Sequence, residues 1–130
     1  MLLSVVVLLA ACAGVGGSSV QIPDEDIPAA SDRDLCLAFK HRPSEALRAE
    51  LQQRDVFSRF EWSMIDESQV QTGMGDLAVL CAWGAPERVQ VLEQDADGEP
   101  VAEVWAYNTC AICNEFRVYL RNGGVERWER

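Results

Sequence analysis

The sequence predicts a small α+β domain, with short N-terminal helices packed on one face of an antiparallel β-sheet of three to four strands. Two observations carry this expectation. Apolar residues recur at helical spacing as far as Trp83, and after Pro86 the period changes to alternation broken by turn residues. Helices first and strands last argue for segregated layers rather than for a parallel βαβ arrangement.

Ser31 is placed to cap a helix over Asp32 to Lys40, with Asp34 in the first turn and Leu35, Ala38 and Phe39 on one face. Arg42-Pro43 interrupts it. A second helix follows from Ser44 to Arg54, its apolar stripe made by Leu47 and Leu51 and its solvent face by the i, i+4 pair Glu50 and Arg54. A third runs from Asp76 to Trp83, with Leu77, Leu80 and Cys81 on one side and Gly84 and Pro86 as stop signals. Between the second and third, Phe57, Phe60, Trp62, Met64 and Ile65 read as an apolar connection that belongs to the core. Val89 and Val91 then alternate with Arg88 and Gln90, Asp95-Ala96-Asp97-Gly98 makes a hairpin turn, and Val101, Glu103, Trp105 and Tyr107 alternate with Ala102, Val104 and Ala106. Phe116, Val118 and Leu120 alternate with Arg117, Tyr119 and Arg121, and Asn122-Gly123-Gly124 turns the chain into a last strand from Val125 to Trp128.

Residues 1–11 are apolar and uncharged and end in small residues directly before Cys12, as a signal peptide does. The run is too short to span a bilayer, which needs about 20 apolar residues, and Gly14, Gly16 and Gly17 break it. Leu9-Ala10-Ala11-Cys12 resembles the bacterial lipobox. That resemblance implies cleavage before Cys12 and diacylglycerol, with palmitate as a typical chain, on its sulfur. Ala13 stands where an aspartate would resemble the inner-membrane retention signal, so outer-membrane sorting is expected. Residues 12–30 follow as a flexible acidic linker of Gly, Ser and Pro with Asp24, Glu25 and Asp26, reaching about 20 to 25 Å as a coil, and residues 31–130 make one domain.

The remaining length allows a single core that buries roughly two-thirds of the unfolded surface. The net charge is −10, and a field of that sign repels nucleic acid, so no nucleic-acid partner is expected. Membrane attachment then rests on acyl chains, each buried methylene contributing about 0.8 kcal/mol.

Apart from Cys12 there are Cys36, Cys81, Cys110 and Cys113, an even set in an oxidising compartment, and three pairings are open to them. Cys110 and Cys113 flank a two-residue turn between paired strands, which favours a local bridge. Cys36 and Cys81 then lie on inner faces of two helices and pair, in a loop long enough for about 4 kcal/mol of chain-entropy stabilisation. The other chemistries fit less well. A thioredoxin-like site wants its CxxC at a helix N-terminus, and a four-cysteine zinc site wants two close pairs. Asp95-Ala96-Asp97-Gly98-Glu99 hints at a calcium loop, yet its twelfth position falls on Val104. No metal and no cofactor is expected. The single histidine, His41, stands at a helix end, no pair of carboxylates is placed in one cleft, and no hydroxyl has a base in a known motif, so the chain does not read as an enzyme.

Gly73-Met74 opening a helix, Gly84-Ala85-Pro86, Trp105-Ala106-Tyr107 on a strand, Phe116 to Leu120 and Gly124-Val125 resemble the SmpA/OmlA outer-membrane lipoprotein domain family, over about residues 73–128. The resemblance implies a helix pair against a small antiparallel sheet. It also implies a location on the periplasmic face of the outer membrane and a noncatalytic binding or scaffolding role in an envelope protein complex. Leu35 to Ile65 and the Cys110–Cys113 loop lie outside the motif. The helix-and-sheet layout is also similar to β-lactamase inhibitor proteins, which implies an inhibitor-like or sensing module, and the Cys110/Cys113 pair admits a thiol-disulfide protein. A partner-binding face is expected on the sheet, from Trp105, Tyr107, Arg117, Tyr119 and Arg121, since Trp, Tyr and Arg favour interface hot spots. In the competing arrangement Trp105 and Tyr107 face the core beside Phe116, Val118 and Leu120.

Overall fold

In the computed structural model, residues 20–130 are described, so the signal peptide, Cys12 and the first part of the linker lie outside the described residues. Among the described residues four α-helices, α1 (Asp32–His41), α2 (Glu45–Arg54), α3 (Arg59–Asp66) and α4 (Asp76–Trp83), precede four strands, β1 (Arg88–Gln94), β2 (Pro100–Tyr107), β3 (Phe116–Arg121) and β4 (Gly124–Glu129). The strands form one antiparallel meander in the order β1-β2-β3-β4. This is the α+β class expected, with four strands.

The helix starts are set locally. Ser31 accepts from the N–H of Asp34 at 3.1 Å and Ser44 from that of Leu47 at 3.2 Å, each cap contributing about 1 kcal/mol. The apolar connection is in fact a helix, α3. Ser58 and Glu61 close a reciprocal capping box, each side chain accepting from the other's backbone N–H at 3.1 Å. Glu61 also accepts from the N–H of Gly75 at 3.0 Å through its second oxygen, tying α3 to the start of α4. Of the five apolar residues read there as core, Phe57 and Ile65 are buried, Trp62 and Met64 half-buried, and Phe60 exposed.

The core sits between the helices and one face of the sheet, and α4 runs through it. Ala78, Val79, Leu80, Cys81 and Ala82 are all buried while Leu77 is only half-buried, so the one-sided stripe of Leu77, Leu80 and Cys81 does not describe this helix. A helix enclosed by other elements carries small and apolar residues all round. Gly84 ends it at φ +82°, its N–H bonded to the carbonyl of Leu80 at 2.8 Å. A side chain there would enter backbone space that L residues rarely adopt, and its Cβ would press on Lys40 Cγ at 3.4 Å.

Two short segments fasten the layers. The N–H of Gly73 bonds to Val125 O at 3.0 Å, that of Asp76 to Gly123 O at 2.8 Å, and that of Val125 to Met74 O at 2.8 Å, so the start of α4 is stitched to the β3–β4 turn. The second segment corrects the expected linker, because order begins before Ser31. Asp24–Ala29 form a 3-10 helix with Ile27 buried. Arg54 donates to Ala30 O at 2.8 Å, Pro28 O at 3.2 Å and Ile27 O at 3.4 Å while pairing with Asp32 at 2.8 Å and Glu50 at 3.0 Å. It is thus largely enclosed rather than on an open solvent face, and the hydrogen bond to Asp32 is the main reason its pKa is raised. Arg54→Ala is expected to release residues 24–30 while α1 and α2 persist. Amide exchange at Asp26 and Ala30 should accelerate about tenfold or more, since Arg54 donates charge-assisted hydrogen bonds to three carbonyls of the segment, and unchanged exchange would show that burial of Ile27 alone docks the segment.

Candidate interaction face

Cross-strand pairs point to the same side of an antiparallel sheet, so the register sorts the strand residues into two faces. Glu103, Trp105 and Tyr107 share their side with Leu120, Val118 and Phe116, whereas Ala102, Val104 and Ala106 share theirs with Arg121, Tyr119 and Arg117. The first side carries Trp105, Tyr107, Val118 and Leu120 into the core under the helices. The five residues expected to make one partner-binding face are therefore divided. Trp105 and Tyr107 are core, and only Arg117, Tyr119 and Arg121 stand on the outer face, which no helix covers among the described residues.

Tyr107 has a structural task. Its hydroxyl donates to Gly84 O at 3.0 Å, and burial pushes its pKa up. It lies edge-on to Trp83 at 5.4 Å between ring centroids, and Trp83 also meets Phe116 at 5.6 Å and Trp128 at 6.0 Å. This aromatic cluster closes one end of the core beside a shallow open cavity of about 350 Å³ that Lys40, Ser68 and Asn108 also line.

The outer face is built in transverse rows, each with a small residue of β2 between long polar ones. Arg88, Ala106, Arg117 and Glu129 make one row, Gln90, Val104, Tyr119 and Arg127 the next, and Glu93, Ala102 and Arg121 the third. This explains why Ala102, Val104 and Ala106 are buried without a second layer above them. Arg121 reaches over Ala102 to Glu93 at 2.9 Å and also pairs with Glu126 at 3.2 Å. Its hydrogen bond to Glu93 is the first cause of its raised pKa. Glu115 takes Arg88 at 2.6 Å and lies 3.9 Å from Arg117. Tyr119 donates to Glu129 at 2.7 Å, which is the main reason that carboxyl is held below its usual range, and Arg127 stacks 3.5 Å from the Tyr119 ring centroid. Exposed pairs of this kind add about 0 to 1 kcal/mol each. Their larger effect is to hold four of the chain's eleven Lys and Arg side chains in fixed positions on one face.

The cysteines pair as expected, Cys36 with Cys81 and Cys110 with Cys113. The first bridge is buried between α1 and α4. The second closes an exposed turn in which the N–H of Cys113 bonds to Cys110 O at 3.0 Å, and it displays Ile112 at 98% exposure. Glu87 anchors this loop by accepting from the N–H groups of Asn108 at 3.2 Å and Thr109 at 3.0 Å, and the Thr109 hydroxyl is the first cause of its lowered pKa. Asp95 Oδ1 accepts from the N–H groups of Asp97 at 2.9 Å and Glu99 at 3.0 Å, so the acidic stretch is a hairpin turn held by its own first residue. Among the described residues, no group of three or more His, Cys, Asp or Glu is placed to hold a metal ion, and no helix is long and apolar enough to cross a membrane.

Fold and face together define a class: an α+β domain whose helices occupy one side of a four-stranded meander and leave an arginine- and tyrosine-bearing side open. No protein-family profile, curated protein or solved structure matches the chain.

Proposed function

We propose that the protein is a noncatalytic lipoprotein, held in the outer membrane by acyl chains on Cys12 and facing the periplasm. There it serves as a binding or scaffolding module of an envelope protein complex, in outer-membrane assembly or envelope maintenance. The observation that carries the binding role is the outer face of the sheet, where Arg117, Tyr119 and Arg121 stand on one side of β3, the two arginines held by ion pairs and Tyr119 by the hydrogen bond it donates to Glu129. Pre-positioned Arg and Tyr lose less rotamer freedom on binding, and both types are enriched among residues that dominate interface energies. The anchor rests on the lipobox resemblance. The SmpA/OmlA reading rests on the sequence resemblance alone; two of its motif pieces, Gly73-Met74 and Gly124-Val125, hydrogen-bond to each other in the fold.

Capture from detergent-solubilised envelopes tests the binding role. Arg117→Glu combined with Tyr119→Ala is expected to reduce recovery of the protein's complex about tenfold or more, with the melting temperature shifted by only a few degrees because the pairs lost are exposed. Phe60→Ser, exposed on the helical side, should leave recovery unchanged. Equal losses in both variants, or none in the first, would remove the outer face from the proposal. Capture of a soluble enzyme as the main partner would favour the inhibitor-like reading instead.

A further inference from the structure

Among the described residues, six large apolar side chains are exposed, and three of them, Val89 at 50%, Val91 at 42% and Leu92 at 54%, stand on β1. Among the described residues this strand is an edge of the sheet, paired with β2 alone, and all seven of its residues are exposed. An edge strand presents unpaired N–H and C=O groups, a template on which another strand can pair.

The charges on β1 specify which strand. Arg88 stands at one end and Glu93 near the other. Their directions depend on a bulge. Val91 pairs with Glu103 and Glu93 with Ala102, so Val91 and Leu92 together occupy one position of the ladder. In a regular strand residues 88 and 93, an odd number apart, would point to opposite faces. With the bulge, Arg88 and Glu93 both stand on the outer face, opposite Ala106 and Ala102. From Arg88 to Glu93, before a second irregularity between Glu93 and Gln94, an antiparallel second copy related by a two-fold axis through Gln90 makes the facing pairs match in side and in chemistry. Arg88 meets Glu93 of the second copy, Val89 meets the Val91-Leu92 step, and Gln90 meets itself. Each of the first two contacts occurs twice, as an isologous interface requires. A foreign strand would need this same pattern by coincidence, whereas a second copy has it by identity.

We propose that β1 pairs antiparallel with β1 of a second copy in this register, joining two four-stranded sheets into one of eight strands. The pairing covers the apolar side chains that the helices leave open, and it is independent of any partner on the outer face.

Cysteine crosslinking of the full-length chain in its own envelopes tests this at physiological salt, where screening over about 8 Å limits repulsion between acidic chains. Gln90→Cys is placed in a Cys110→Ser/Cys113→Ser background to prevent exchange. Facing Cβ atoms in such a pair lie about 4.5 to 5.5 Å apart, so mild oxidation should give a band of twice the chain's mass on a non-reducing gel, and Arg127→Cys on β4 should not. Arg88→Glu and Glu93→Arg should each reduce that band about fivefold, and the two together should restore it. That reversal is diagnostic, because the double variant loses both intramolecular pairs, Arg88 with Glu115 and Glu93 with Arg121, and would be the worst of the three if those alone mattered. A crosslinked product of another mass would assign the edge to a foreign strand and overturn the proposal. So would no dimer from Gln90→Cys, or a charge swap that restores nothing. Where a charge variant fails to melt as a folded domain, the Gln90→Cys result decides alone.

Discussion

Cys36→Ser is expected to destabilise the domain by about 4 kcal/mol, because the bridge it removes closes a long loop, with a sequence separation of 45 between Cys36 and Cys81. At about 4 °C per kcal/mol for a domain of this size, the melting temperature should fall by about 15 °C. Burial adds to the cost. Cys36 and Cys81 lie inside the core where α1 crosses α4, so the variant leaves a hydroxyl and a free thiol where no polar partner is built, and unpaired buried polar groups are destabilising in their own right. Cys110→Ser should be much milder. Its bridge spans a separation of three, in an exposed turn that Glu87 also holds, and the same chain-entropy relation gives about 2 kcal/mol as its ceiling. Melting curves followed by circular dichroism compare the two, read with a complementation assay in cells. A purely structural pair of bridges requires Cys36→Ser to melt clearly below Cys110→Ser, with partner binding retained in both. The thiol-disulfide alternative requires the opposite, with stability intact and function lost in Cys110→Ser alone.

What the sequence discloses divides along the range of the interactions. Ser31 and Ser44 as caps, the Asp95–Gly98 turn and the strand alternation are readable because each depends on residues a few positions apart. The boundaries of α1, α2 and α4 follow to within a residue or so. The helix α3 was also signalled locally, by Ser58 followed three residues later by Glu61. The apolar residues of α3 meet partners on several elements, Trp62 meeting Phe39, Phe57 and Arg48, and none of these partners lies within α3 to mark the helix. The 3-10 turn at residues 24–29 is held by Arg54 from a different helix. Nothing within the segment itself, with its acids and prolines, announces that partner. The sheet shows the limit most clearly. Alternation along β2 separates Trp105 and Tyr107 from Ala102, Val104 and Ala106, yet it is symmetric between faces. Large aromatic residues suit an exposed hot spot or a core equally well. Small residues beneath a cross-strand Arg121–Glu93 pair suit an outer face only once the register is known. The self-complementary edge was hidden for the same reason, since the positions of Arg88 and Glu93 agree only after the bulge at Val91-Leu92 is counted.

Cys12→Ser is expected to abolish acylation and to move the protein from the membrane fraction to the soluble one. The transfer of diacylglycerol forms a thioether, so it requires a thiol, and serine cannot substitute although it is nearly the same size. Two acyl chains on one residue give stable anchoring where a single chain gives only a reversible contact, so their loss is an all-or-none effect on partition rather than a graded one. Among the described residues no helix is long and apolar enough to cross a membrane, and the net charge of −10 opposes adsorption to anionic lipid. Metabolic labelling with a palmitate analogue reads the first step, and fractionation of the envelope the second. The native chain should take up label and, with Ala13 after the cysteine, sediment with outer-membrane vesicles, whereas recovery chiefly with inner-membrane vesicles would refute the sorting. The variant should carry no label and melt at the native temperature, because among the described residues the core is made beyond that site, from Val20 and Ile22 onward. A labelled, pelleted Cys12→Ser protein would overturn the anchor, while an unlabelled one that still binds the complex would separate where the domain is held from what it holds.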